Sequence, residues 1–316
     1  MPLPSKVFLC EVNKVASEQM VMIDGRKIKL TNLEKLMWSE ENITKGEVVK
    51  YFTDVAPVLL PHLKDRPLVL TRYPQGWQGK NFYQKNAPEH TPEWVKTAPL
   101  PSEKRVINYI LAETTADLVW LANQAAFEIH PFLSRVQSID EPDYAVFDLD
   151  PMENTTWEDV RTTALAVRAA LSHYNLRAYP KTTGGDGLQI FLPLVAGFSY
   201  EDVRTFALGL SQAVHGVLPD ITTLIRKPSE REGKMYLDYL QNVKGKTLVS
   251  VYAIRPRPLA TVSTPVTWDE MESDSVRKDE FTIRTLRQRL EKHGDLFAPT
   301  LFDKQNIRPV LKLFSR

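Results

Sequence analysis

Residues 145–151, AVFDLDP, decide how this chain is read. Ala145, Val146 and Phe147 have the character of a buried strand, yet the run continues into Asp148 and Asp150. Successive strand side chains alternate faces, so residues two apart lie on the same side. Two carboxylates side by side repel each other, and burying them without a counter-charge is costly. Compensation must come from elsewhere in the chain.

The elements that follow show where it can come from. DYAVFDLD (143–150) reads as a strand, and Thr156 caps a helix through WEDVRTTALAVRAALSHY. LRAYPKTT (176–183) and LQIFLPL (188–194) read as strands joined by the turn GGDG. Ser199 caps a second helix, YEDVRTFALGLSQAVHGV, and KMYLDYL (234–240) is a final strand with Asp238 in its middle. The order β-α-β-β-α-β predicts a ferredoxin-like split unit within an α/β (α+β) fold, its first and fourth strands adjacent. Asp148, Asp150 and Asp238 then converge on one face, where divalent cations would bridge them. Mg²⁺ and Mn²⁺ take hard oxygen ligands and keep positions for water and substrate phosphates. Two such ions about 4 Å apart can activate an attacking oxygen and stabilise a leaving one. A D-x-D pair alone is weak, since half-buried strands often end in acids at the solvent.

Upstream, TKGE is a capping box in which Thr44 caps and Glu47 reaches back. Val48, Val49, Phe52, Val55 and Leu59 keep helical spacing to an expected stop at Pro61. RPLVLTRYP (66–74) reads as a strand, and residues 74–101, with five prolines, as a long surface excursion. A helix is expected at about 114–126 and a short strand, FEIHPF, at 127–132.

Composition bounds the rest. The 316 residues are 43% hydrophobic and 25% charged, ordinary for a soluble globular protein. The single Cys10 excludes an internal disulfide and suits a reducing compartment. With no apolar run of about 18 residues and no apolar leader in MPLPSKVFLCEVNK, a cytoplasmic protein off the membrane is expected. The net charge of +1 argues against indiscriminate nucleic-acid binding, but it is unevenly spread. Residues 140–159 hold eight acids and no Lys or Arg, whereas 223–257 hold eight Lys or Arg against three acids. Each block alone is an ordinary solvated surface. Together they suit a cation site beside an anion site, as metal-assisted phosphate chemistry requires.

Eight motifs in order then carry a resemblance: LTNLEKLMW, ITKGEVVKYF, FYQKNAPEH, WLANQAAFEIHPF, FDLDP, TTGGDGLQIFLPL, DYLQN and STPVTWDEM. The chain resembles the primase-polymerase domain of the prokaryotic non-homologous end-joining DNA ligase D family, in the archaeo-eukaryotic primase superfamily. The likeness runs from about residue 23 to the high 200s, and the ligase and phosphoesterase modules are absent from these 316 residues, so a stand-alone polymerase is expected. The resemblance implies one primase-polymerase domain over 1–316. About 1–135 would bind template and 5′-phosphate, about 136–290 would be catalytic, and about 291–316 a C-terminal tail.

The resemblance also implies a template-directed nucleotidyltransferase that fills or extends DNA ends. It would use two Mg²⁺ or Mn²⁺ ions and act with a Ku-type end-binding protein and a separate ligase at the nucleoid. Asp148 and Asp150 would hold both metals, Asp238 the catalytic one, and His130 would lie beside the incoming nucleotide. Read alone, His130 is a histidine satisfied within a buried strand. Thr183, Gln189, Gln241 and Arg255 would contact the nucleoside triphosphate, Arg255 as a fork onto phosphate oxygens. Asn32, Lys35 and Lys45 would grip the 5′-phosphate at the break, helped by free N–H groups of the first helical turn. Phe82 and Tyr83 would stack on template bases. Read alone, these lysines are surface charges and the aromatic pair is packing.

One motif departs from the family. Where TSGGKGLHV is usual, this chain has Thr183, Asp186 and Gln189 in place of the Ser, Lys and His. Asp186 reverses a charge where phosphates would lie, and Gln189 is an amide that cannot become a cation. Two alternatives follow: a weakened polymerase kept as a DNA-end-bridging module, and a primase that starts chains de novo.

Overall fold

The computed structural model describes residues 18–102 and 105–314, so Cys10 and the N-terminal leader reading lie outside the described residues. The chain divides into two compact units. The first comprises residues up to 64 together with 68–129, and the second comprises 65–67 and everything from His130 onward.

In the first unit, β1 (Glu18–Ile23) and β2 (Arg26–Thr31) form an antiparallel hairpin, and β3 (Leu36–Trp38) pairs with β4 (Ile43–Thr44). Helix α1 (Lys45–Leu63) starts at the Thr44–Glu47 capping box and buries the expected stripe, Val48, Val49, Phe52, Val55 and Leu59. It runs on through Pro61 for most of another turn, with Pro57 also inside. Strand β5 (Leu68–Arg72) is central to a sheet with β6 (Phe82–Gln84), β7 (Thr97–Pro101) and β8 (Val106–Ile110), in the order β6-β5-β8-β7. The proline-rich segment is therefore not structureless, because β6 and β7 lie within it. Helix α2 (Thr115–Asn123), capped by Thr114, leads to β9 (Glu128–Pro131), which joins β5. Phe127 stacks on Tyr73 at 4.6 Å and meets Trp38 at 4.9 Å, an aromatic centre for this unit.

In the second unit the sequence order is β10 (Tyr144–Asp150), α3 (Trp157–His173), β11 (Tyr179–Thr182), β12 (Leu188–Pro193), α4 (Tyr200–Val217), β13 (Thr222–Thr223) and β14 (Met235–Leu237). The sheet order is β11-β12-β10-β14-β13, antiparallel except that β13 runs parallel to β14. Both helices begin at capping boxes, Thr156–Asp159 and Ser199–Asp202. Each presents a stripe of helical period, Val160, Ala164, Val167 and Leu171 on α3, and Val203, Phe206, Ala207, Leu210 and Val214 on α4. These stripes share one core with Ala145, Phe147, Leu149, Leu188, Ile190 and Leu192. Alternation then assigns Val146, Asp148, Asp150 and Gln189 to the other face of the sheet.

One expectation is corrected here. The last strand ends at Leu237, so Asp238 is not in its middle; it caps a short 3-10 turn, Tyr239–Asn242. Beyond that end, buried Asn242 takes over the pairing of β10, accepting from the Val146 N–H at 2.8 Å and donating to its carbonyl at 2.7 Å. Short helices α5 (Trp268–Glu272), α6 (Leu286–His293), α7 (Pro299–Phe302) and α8 (Arg308–Phe314) follow, and Ile307, Val310 and Leu311 enter the core.

The β11–β12 turn leaves no room for a side chain at Gly187, where a Cβ would stand 2.4 Å from the Leu149 carbonyl oxygen. Gly187→Ala should lower stability by about 1–3 kcal/mol, since backbone must shift. Gly216, inside α4, faces open space, so Gly216→Ala should raise stability by about 0.5–1 kcal/mol. Urea unfolding of the two variants checks both signs.

Candidate active site

Asp148 lies mid-sheet, opposite Gln189 on β12. The β10–β14 register, Leu149 with Leu237 and Asp150 with Tyr236, brings Asp238 level with Asp148, and the Asp238 N–H donates to the Asp148 carbonyl at 2.9 Å. Gln189 Nε2 donates to Asp148 Oδ1 at 3.0 Å. Desolvation is the main reason the Asp148 carboxyl is pushed up from 3.8 to about 7, with Asp238 and Asp150 adding repulsion. Asp238 is raised too, chiefly by burial, while it accepts from Leu240 N and Gln241 Nε2.

Asp150 is exposed, and Arg231 donates to its Oδ2 at 3.0 Å. Arg231 is itself buried, held by the Ile225 and Arg226 carbonyls and lying 4.2 Å over the Tyr236 ring. The counter-charge that the D-x-D pair demanded is thus partly an arginine that the sequence reading did not single out. Its only signal was membership of the basic block.

Asp148 and Asp150 edge a cleft of about 350 Å³. Its walls also include His130, Thr183, Gly185, Asp186, Arg255 and Arg257. The turn 183–187 is clamped by the segment after Arg255: Arg255 Nη1 donates to the Thr183 carbonyl at 2.9 Å, and Thr261 Oγ1 to the Gly184 carbonyl. Gly184 has φ +69°, and a Cβ there would meet Arg255 and Ser263 at 2.7 and 2.9 Å. Only a glycine suits both the angle and the space.

The family model described as "LigD, primase-polymerase domain" matches residues 44–297. The chain belongs to this family. It is 33% identical over 269 residues to the bifunctional non-homologous end joining protein LigD of Bacillus subtilis. It is 32% identical over 275 residues to the multifunctional LigD of Mycolicibacterium smegmatis. The matched parts cover 85% and 86% of this chain but 43% and 36% of those relatives, so the chain spans less than half their length. The solved polymerase domain from Mycobacterium tuberculosis ligase D, in complex with DNA, superposes with a TM-score of 0.82 at 28% identity, covering 88% of this chain and 99% of that one.

Against the family motif, the departures take on a different meaning. Asp186 accepts from Lys278 Nζ at 2.6 Å and Arg257 Nη2 at 3.0 Å, and the Lys278 contact leads in holding its carboxyl below the usual range. The reversed charge is therefore covered by two cations, and one of them, Arg257, lines the cleft. Thr183 keeps its hydroxyl but uses it inside the turn, donating to the Gly187 carbonyl and accepting from Gly185 N–H, both at 3.1 Å. Gln189 is 3% exposed and engaged on both ends, by Lys181 and Asp148. Gln241 reaches Asp238 and is not among the cleft walls.

The three carboxylates do not close into a cage. Among the described residues, no group of three or more His, Cys, Asp or Glu side chains is arranged to hold a metal ion. The physical reason is that Asp150 leans to Arg231 and Asp238 to its own 3-10 turn. The donor set still fits a hard cation, because burial disfavours the charged forms of Asp148 and Asp238, with carboxylate neighbours adding repulsion at Asp148, unless positive charge arrives.

Within the first unit, Asn32 adopts φ +53° and its carbonyl accepts from Lys35 N–H at 3.0 Å. Lys35 Nζ donates to the Pro74 carbonyl at 2.7 Å. Lys45 is no surface charge: it is 6% exposed, and its ammonium donates to the Thr31 carbonyl and hydroxyl. Desolvation, then Lys35 and Arg72, lower its pKa to about 8. The first-turn amides of α1 are not free, since Lys45, Gly46 and Glu47 N–H go to Lys35 O, Leu33 O and Thr44 Oγ1. Phe82 and Tyr83 stand exposed on β6, with Arg72 5.0 Å from the Phe82 ring centre and Lys85 5.8 Å from that of Tyr83.

Because the folded state holds the Asp148 proton up to about pH 7 and the unfolded chain releases it near 3.8, metal-free stability should fall as pH rises between those values. Asp148→Asn removes that loss. In chelator, its melting temperature should match the parent near pH 4 and exceed it at pH 8. A constant difference across that range would mean that Asp148 does not carry the strain.

Proposed function

We propose that this chain is a template-directed nucleotidyltransferase that fills or extends broken DNA ends. The observation that carries it is one cleft edged by Asp148 and Asp150 and walled by Arg255 and Arg257, with Asp238 level with Asp148. Membership of the LigD primase-polymerase family supports the reaction class. The strand order β11-β12-β10-β14, with β13 added at one edge, supports reading the second unit as a ferredoxin-like catalytic core in a primase fold.

Asp148, Asp150 and Asp238 would hold two Mg²⁺ or Mn²⁺ ions, which supply charge for an attacking 3′-oxygen and a leaving diphosphate. Arg255 and Arg257 would bind the triphosphate, as guanidinium forks suit phosphate oxygens. His130, half-buried in the cleft wall, would border the nucleotide. Arg231 would hold Asp150 until a cation takes its place. Thr183 and Gly185 would shape the turn beneath the phosphates, while Gln189 and Gln241 would hold Asp148 and Asp238.

In the first unit, Lys35 and Lys45, with the Asn32 turn between the strand and helix, would receive the 5′-phosphate of the break. Desolvation and like charge already lower the Lys45 pKa, and an arriving phosphate relieves that repulsion. Exposed Phe82 and Tyr83 would stack on template bases. The similar mycobacterial domain was solved in complex with DNA, which supports a DNA partner here. A Ku-type end-binding protein and a separate ligase are partners that end joining requires. Among the described residues no helix is long and apolar enough to cross a membrane.

The direct test is primer extension on a gapped duplex with a 5′-phosphate, in Mg²⁺ and in Mn²⁺. Asp148→Ala, Asp150→Ala and Asp238→Ala should each abolish nucleotide addition and remain folded. Near-parental extension by any of them removes that residue from the metal site.

Phosphate recognition predicts a different pattern for Lys45→Met. It should weaken binding to the phosphorylated gap and leave the unphosphorylated gap unchanged, and the slope of log K against log salt should flatten by about one. Equal losses on both duplexes would make Lys45 a general contact.

A further inference from the structure

Lys181, on β11, is completely buried. Its Nζ donates to Gln189 Oε1 at 2.6 Å and to Ser263 Oγ at 2.7 Å. Ser263 Oγ in turn donates to the Thr182 carbonyl at 2.8 Å. Lys181 is the register partner of Gln189, and Gln189 is the register partner of Asp148. Three side chains thus stand in a row across three adjacent strands, on the face away from the helices.

The two ends of that row are chemically opposite. The lysine Nζ serves as a donor and an Asp148 oxygen as an acceptor, the latter whether or not the carboxyl holds its proton, while an amide does one at each end. Lys181 must therefore meet the amide oxygen of Gln189, which turns the NH₂ group toward Asp148, as observed at 3.0 Å. Without the ammonium, the amide can turn over and set its carbonyl against the carboxylate. Burying a lysine at this depth is costly, and an apolar residue would fill the space at less expense. The bonds it makes show what it is for.

We propose that Lys181 is a positioning residue for nucleotidyl transfer, acting through the Gln189 amide. It pins one oxygen of Asp148 and leaves the other as the oxygen available to a cation. This assignment rests on the reading of Asp148 as a metal ligand. It also gives position 189 a requirement, acceptor toward Lys181 and donor toward Asp148, which glutamine meets and a neutral histidine also meets.

The test uses the full chain and Mn²⁺ itself, with free Mn²⁺ followed by electron paramagnetic resonance and nucleotide incorporation measured alongside on the phosphorylated gap. Lys181→Met is close in length and carries no charge. It should raise the Mn²⁺ dissociation constant by about tenfold or more. It should lower kcat while leaving the KM for nucleotide within about twofold, because the triphosphate contacts are untouched. Gln189→Leu should do the same. Adding Lys181→Met to Gln189→Leu should cost nothing further, since the lysine acts only through the amide. Gln189→His should keep Mn²⁺ affinity near the parent, and this comparison stands even where Lys181→Met does not fold. The assignment is overturned by parental Mn²⁺ affinity in folded Lys181→Met. Losses that add in full, or Gln189→His binding as poorly as Gln189→Leu, overturn it as well. A parent that binds Mn²⁺ but incorporates no nucleotide removes the polymerase reading and leaves the Mn²⁺ comparison to decide this one. A parent that binds no Mn²⁺ removes both.

Discussion

The alternation of faces along β10 constrains everything else in the second unit. Ala145, Phe147 and Leu149 must enter the core beneath α3 and α4. Asp148 and Asp150 then have no choice but the opposite face, and each neighbouring strand has to answer them. On one side β12 supplies the Gln189 amide, backed by the Lys181 ammonium of β11. On the other side β14 stops at Leu237, and the chain turns through Asp238 while Asn242 closes the abandoned edge of β10. Had β14 continued, its backbone would have stayed in the sheet. Ending it there frees Asp238 to leave the strand geometry level with Asp148.

Charge is balanced around this face in small, separate arrangements. Arg231 answers Asp150, Lys181 answers Asp148 through an amide, and Lys278 with Arg257 answers Asp186. The Asp186 group changes the meaning of the family departure. A carboxylate between two cations leaves a net positive local charge, so the turn remains hospitable to an anion although its own residue is acidic. A buried amide at position 189 likewise costs little, because both of its ends are bonded.

The first unit shows the same logic with the sign reversed. Lys45 sits at the start of α1 with its ammonium tied to Thr31 and with Lys35 and Arg72 near enough to lower its pKa. The helix amides that an anion would otherwise use are already bonded to Leu33, Lys35 and Thr44. Whatever this end attracts, it attracts through side-chain charge.

Local signals were legible wherever the physics is local. The caps Thr44, Thr156 and Ser199 act within three residues, and each starts a helix where the sequence placed one. Period-two alternation placed β10 and β12, and Asp148 and Asp150 on one face, because a strand's sides follow from its residue order alone. The sequence could not say where β14 ends, since that depends on Asn242 reaching across to Val146, 96 residues away. Nor could it reveal Arg231 on Asp150, Lys278 on Asp186 or Lys181 behind Gln189. Such pairings depend on which distant side chains the sheet order brings within about 3 Å, a tertiary geometry that leaves no periodic trace along the chain. The sequence by itself determined the elements and the faces their residues take; the tertiary structure decided which distant side chains meet.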